Sequence, residues 1–129
     1  MDSNLYRELI LDHWRNPKHF GKLDHATHQS YFENTLCGDA IGWHISVVRK
    51  RKTENGTIDK AMFYGEGCAL SIAGASVVAE HIQGMPLKQA KLITQDWVAR
   101  ELRITPTPAR ERCVTLGLDA LRKALSGVQ

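Results

Sequence analysis

The chain has 129 residues, the length of one ordinary domain, and 43% hydrophobic with 24% charged residues is a composition that packs a core, so one compact domain is expected over residues 1–129. No apolar run approaches the roughly 18 residues of a membrane span, and no charged-then-apolar leader opens the chain, so a cytoplasmic protein without membrane contact is predicted. A formal charge of +3 with acidic residues spread throughout is too small to indicate a nucleic-acid partner.

Residues 3–15 predict a helix. Leu5 and Leu9, with Tyr6, Ile10 and Trp14 one row over, recur at helical spacing behind the capping candidates Asp2, Ser3 and Asn4, and Asn16-Pro17 ends it. Residues 18–33 contain Gly21 and little periodicity and are read as a surface connection with room for a short edge strand; His19, His25 and His28 are taken as solvated loop histidines. Trp43, Ile45 and Val47 then alternate with His44, Ser46 and Val48, and Ile58, Ala61 and Phe63 mark a second strand over 57–64. Between them Asn55-Gly56 predicts a hairpin turn, which places Arg49-Lys50-Arg51-Lys52 at a solvated tip rather than in a nucleic-acid interface. Residues 69–83 predict a helix whose first half holds Ala69, Ser71, Ala73, Gly74, Ala75 and Ser76. Helix propensity does not select Gly74, so close backbone packing against the sheet or another helix is expected there. Gly84 caps this helix, Pro86 opens a short helix through 93, Thr94 caps another through 102, and the stretch 105–108 breaks the chain. A last helix runs from about 108 to 125 with Val114, Leu118, Leu121 and Leu125 on its apolar stripe. Strands come early and helices late, which predicts an α+β fold: a small antiparallel β-sheet of about three strands covered on one face by helices, with N- and C-terminal helices.

Cysteine occurs three times, at 37, 68 and 113, an odd number in a chain read as cytosolic, so a disulfide framework is not expected. No C-x-x-C pair exists, which excludes a zinc-knuckle arrangement, and any shared site must be assembled by the fold. Each cysteine stands beside a structural break. Cys37 precedes Gly38-Asp39 at the entrance to the hairpin. Cys68 follows Gly65-Glu66-Gly67 at a helix N-terminus, where unpaired amides favour negative sulfur. Cys113 falls in the early turns of the last helix near Arg110 and Arg112, whose positive charge favours ionised sulfur. Asp39, two residues after Cys37, points to the same side of an extended segment and offers an oxygen to three sulfurs. Such a donor set suits zinc, iron or an iron-sulfur cluster, and the harder oxygen binds more weakly than a fourth thiolate, which suits a site that must release its cargo. The glycines at 65 and 67 lack the remaining spacing of a phosphate-binding loop, so no nucleotide is inferred.

Leu5-Tyr6 to Asn16-Pro17, Cys37-Gly38-Asp39, the run from Gly65 to Ala73 and Pro108-Ala109-Arg110-Glu111-Arg112-Cys113 together resemble the IscU/SufU/NifU N-terminal family of iron-sulfur assembly proteins. The resemblance runs from about residue 5 to 125 and includes every cysteine in order. It implies an α+β fold, a cysteine desulfurase as sulfur donor, acceptor apo-proteins as recipients, and zinc or a [2Fe-2S] cluster at Cys37, Asp39, Cys68 and Cys113, held by one chain or shared between self-associated copies. IscU-type members carry a histidine before the last cysteine and a chaperone-recognised Leu-Pro-Pro-Val-Lys segment; here Arg112 and residues 104–110 stand in those places. Members of the SufU type resemble the Pro108-Ala109-Arg110 pattern but carry an insertion between the second and third cysteines, which are only 45 positions apart here. The chain therefore resembles a SufU-type site on an IscU-length frame. Three functions are carried forward: a scaffold that accepts sulfur and holds a nascent cluster, a zinc-dependent sulfurtransferase, and an interaction module with structural zinc. In the first two, Cys37 and Cys113 are the candidate sulfur acceptors and Arg110 is expected to assist by pairing with Asp39 when the carboxylate leaves the metal.

Overall fold

The structure, a computed structural model, describes residues 3–35, 38–51 and 55–126. Its elements are α1 (Ser3–Arg15), β1 (His28–Asn34), β2 (Asp39–Val48), β3 (Thr57–Glu66), α2 (Ala69–Ile82), α3 (Leu87–Ala90), α4 (Gln95–Glu101) and α5 (Pro108–Ser126). The three strands form one antiparallel sheet in the order β1-β2-β3. The expected α+β architecture is present, with α2 and α5 laid against one face.

Strand alternation produces that layer. Ile41, Trp43, Ile45 and Val47 of β2 and Ile58, Ala61 and Phe63 of β3 are buried against Ala75, Val78 and Ile82 of α2 and the predicted stripe Val114, Leu118, Leu121 and Leu125 of α5. A register shift at Ser46/Val47 keeps the apolar positions of β2 and β3 on the same face despite their uneven spacing. Side-chain bonds tie sheet to helix, among them Trp43 Nε1 donating to Gly117 O at 2.9 Å and Ser30 Oγ to Ala120 O at 2.7 Å. Burial of each donor is thereby compensated.

The stretch 18–33 is more structured than a surface connection. Gly21 N donates to Phe63 O at 2.8 Å and Phe63 N to His19 O at 3.1 Å, so residues 19–21 pair along the free edge of β3. The chain then crosses the outer face of the sheet, where Leu23 meets His44 Nδ1 and Lys22 lies over the Tyr64 ring at 4.5 Å. Thr27 N donates to Ile45 O at 2.8 Å and starts β1, a seven-residue edge strand. His28 is thus a half-buried strand residue and not a loop histidine, whereas His19 and His25 are exposed as expected. On α1 the apolar row also needs correction: Trp14 is 45% exposed and His13 is the buried residue, at 6%, because its ring meets Ser76 of α2.

The later elements follow their local signals closely. Thr94 Oγ1 accepts from Trp97 N at 3.1 Å and caps α4. Gly84 stands just beyond α2 at φ +76°. The helix opened by Pro86 is shorter than predicted, ending at Ala90.

Candidate metal centre

Three elements converge at one end of the sheet. Asp39 is the first residue of β2 and Ala40 pairs with Glu66, so the start of β2 lies beside the end of β3. Only Gly67 and Cys68 separate β3 from α2, and Cys68 is the N-cap residue of that helix, with extended backbone and no side-chain capping bond. Its sulfur is therefore not engaged in capping. Cys113 sits in the second turn of α5, and the crossing of α2 over α5 sets its distance from Cys68.

That crossing is close because its contact residues are small. A Cβ on Gly74 would run into the Val114 carbonyl oxygen, and one on Gly117 would lie 2.7 Å from Ala75 Cβ. Backbones approach to a distance that no larger residue permits. The expectation that the small-residue helix packs closely is met, with α5 as its partner.

One oxygen of Asp39 and the sulfurs of Cys68 and Cys113 all lie within 4.8 Å of one another. Asp39 is 7% exposed and Cys113 9%, while Cys68 is half-buried, so the group opens to solvent on the Cys68 side. Cys37 falls outside the described residues, in the connection between β1 and β2 that leads directly into Asp39. Arg110 and Arg112 are exposed on the first turns of α5. The described contact of the Asp39 carboxylate is with Ser71 rather than Arg110: Ser71 Oγ donates to Asp39 Oδ2 at 2.5 Å. Ser71 Oγ also lies 3.5 Å from Cys68 Sγ. Gly67 completes the wall, since a Cβ there would sit 3.2 Å from Asp39 Cγ and 2.9 Å from Ser71 Cβ.

Sequence reading placed Ser71 among the small packing residues and gave Gly67 no role. The available signal was the spacing of Ser71 from Cys68, since residues i and i+3 share a helix face.

Zinc bound tetrahedrally at about 2.3 Å from sulfur has donors separated by roughly 3.7 Å. Two sulfurs and an oxygen gathered within 4.8 Å are within a small side-chain adjustment of that figure. The mixture of soft thiolates with one carboxylate fits zinc, iron or a cluster and disfavours calcium or magnesium, which prefer all-oxygen surroundings.

The chain matches the family model of the NifU-like N-terminal domain over residues 5–128. It belongs to that family. Among its relatives, the iron-sulfur cluster assembly scaffold protein IscU of Aquifex aeolicus is 34% identical over 120 residues, spanning 93% of this chain and 73% of that protein. The IscU scaffold protein of Haemophilus influenzae is 31% identical over 124 residues, spanning 94% of this chain and 93% of that one. A crystal structure from Fervidobacterium islandicum AW-1, described as a proposed SUF-system scaffold for iron-sulfur cluster assembly, superposes with a TM-score of 0.76 over 96% of this chain and 99% of that one. At 23% identity it bears on the fold alone. This NifU-like domain shares the backbone of that structure and presents Asp39, Cys68 and Cys113 together on it.

Proposed function

We propose that this NifU-like domain is an iron-sulfur cluster assembly scaffold that accepts sulfur from a cysteine desulfurase and holds a nascent [2Fe-2S] cluster, or zinc, at Cys37, Asp39, Cys68 and Cys113. The observation that carries the reading is the convergence of the Asp39, Cys68 and Cys113 donor atoms within 4.8 Å at the half-open end of the sheet. Family membership supports the assignment of cargo, because relatives that align with nearly the whole chain are iron-sulfur cluster assembly scaffold proteins.

The residues perform distinct tasks. Sulfur acceptance requires a thiolate at Cys37 or Cys113 to attack the outer sulfur of the donor's persulfide. A new S–S bond forms as the donor's cysteine leaves as thiolate, with no net oxidation. Cys68, at the positive end of α2, then serves as a fixed thiolate ligand. Asp39 supplies the harder and more readily exchanged donor. Arg110, exposed one turn before Cys113, assists by receiving the carboxylate when it leaves the metal. Arg112 cannot ligate, since a guanidinium remains protonated and has no acceptor, so Asp39 keeps the fourth position.

A zinc-dependent sulfurtransferase is the second reading, favoured by the arginine before Cys113 where IscU-type members have histidine. Anaerobic reconstitution with iron, a cysteine desulfurase and cysteine separates the two. For a scaffold, visible absorption grows with iron loading and passes to an acceptor apo-protein. Stimulation of the desulfurase that requires zinc and yields no visible chromophore would replace the scaffold reading with the transferase.

A further inference from the structure

Ser71 is fully buried, and its described hydrogen-bond partners are two candidate ligands. The other buried hydroxyls have structural partners. Ser76 is taken up by His13 and by Lys18 N, which anchor α1 and the following segment, and Thr115 donates to the Glu111 carbonyl of its own helix. A helical hydroxyl bonded to its preceding turn is the usual way to bury such a group. Ser71 instead reaches out of α2 and across to β2.

A hydroxyl has one proton to donate. Given to Asp39 Oδ2 at 2.5 Å, it makes a charge-assisted bond of the strong kind and occupies one of the two carboxylate oxygens. The pair fits because Gly67 has no side chain, since a Cβ there would stand 3.2 Å from Asp39 Cγ, and Ser71 is itself fixed on the first turn of a helix packed on the sheet. The carboxylate is thus held through Oδ2 while one of its oxygens stays within 4.8 Å of both sulfurs.

We infer that Ser71 is a positioning residue that presents Asp39 to the metal as a one-oxygen ligand. The inference rests on the reading of this group as a metal site. It assigns the Ser71 hydroxyl no contact with the metal, and with its single proton on Asp39 it has none to donate to the Cys68 sulfur 3.5 Å away, so its effect passes through Asp39.

That dependence is what the test measures. Zinc affinity is determined on the full chain by competition with a chromophoric chelator, for wild type, Ser71→Ala, Asp39→Ala and the double variant. Orienting partners of metal ligands commonly contribute about 10–100-fold in affinity, and a loss in that range is expected for Ser71→Ala. In the Asp39→Ala background, Ser71→Ala should cause no further loss. With cobalt(II) as probe, Ser71→Ala should change the d–d bands while leaving the sulfur-to-metal charge-transfer intensity, which reports the thiolates, unaltered. Alanine suits a helix position and circular dichroism verifies the fold. Affinity of Ser71→Ala within twofold of wild type overturns the inference, as does a loss that multiplies with that of Asp39→Ala. Failure of the wild-type chain to bind zinc or cobalt would instead remove the metal-site reading, and this inference with it.

Discussion

Gly67 shows how a residue without a side chain shapes the candidate site. Its backbone is of an ordinary kind, so its role is space: the Asp39 carboxyl carbon lies 3.2 Å and Oδ2 3.3 Å from where a Cβ would stand. Gly67→Ala must push the carboxylate or the Ser71 side chain by several tenths of an ångström. Because both belong to one hydrogen-bonded pair, we expect zinc affinity to fall by about tenfold or more. Chemical denaturation should change much less, since the neighbouring contacts lie at the open end of the sheet. Unchanged zinc affinity in Gly67→Ala would show that the pair has freedom to move. At this scale the sequence was partly legible. The thiols and Asp39 announce themselves by residue type and by the breaks around them. Ser71 and Gly67 do not, because a serine in a small-residue helix and a glycine before a helix have common structural uses, and only the register of β2 against β3 brings Asp39 to them.

The elements that set the cysteine spacing are α2 and α5, and their crossing depends on Gly74 and Gly117. Gly74→Ala would put a methyl group against the Val114 carbonyl, which is backbone and cannot rotate away. Overpacking of this type costs about 1–3 kcal/mol, and we expect urea unfolding to show a loss in that range. Since Val114 adjoins Cys113, separation of the helices should also weaken metal binding. A variant of wild-type stability would mean that the helices are less closely seated than their glycines require. This contact was legible in outline, because Gly74 has no propensity reason to stand inside a helix. Its partner was not, since several faces could accept small residues. β1 was harder still: Gln29, Tyr31 and Glu33 face solvent, and its inner positions are only partly buried, so its alternation lacks the strong apolar residues that mark β2. It is held by pairing along β2 and by the bond from Ser30 to α5, both long-range.

Over the whole molecule, the segment between α1 and β1 closes the fold by passing from the edge of β3 to the edge of β1, and α1 is anchored in its last turn by His13. The His13 Nδ1 atom lies 2.7 Å from Ser76 Oγ, which also accepts from Lys18 N at 2.8 Å. The imidazole and the hydroxyl share one hydrogen bond whose direction follows the histidine tautomer. Burial lowers the pKa of His13 below its ordinary value; Lys18 acts in the same direction, while Glu80 and Asp12 oppose it. His28 is lowered as well, by burial first and then by Arg49 and Lys91. For a histidine depressed in the folded state, the unfolded chain takes up the proton first. Stability is therefore complete above the ordinary histidine value of about 6.5 and declines as pH falls from there through the folded pKa. Asp119 acts in the opposite sense, because burial raises its pKa against the pull of Arg122, and its effect belongs to the more acid range between its folded value and the ordinary carboxylate value. We expect urea unfolding of the metal-free protein to show lower stability at pH 5.5 than at pH 7.5. His13→Gln, which retains an amide able to meet Ser76 but cannot titrate, should have a smaller difference between the two pH values. If His13→Gln keeps the full wild-type difference, the anchoring of α1 does not govern the acid sensitivity, and His28 at the opposite edge of the sheet becomes the group to replace.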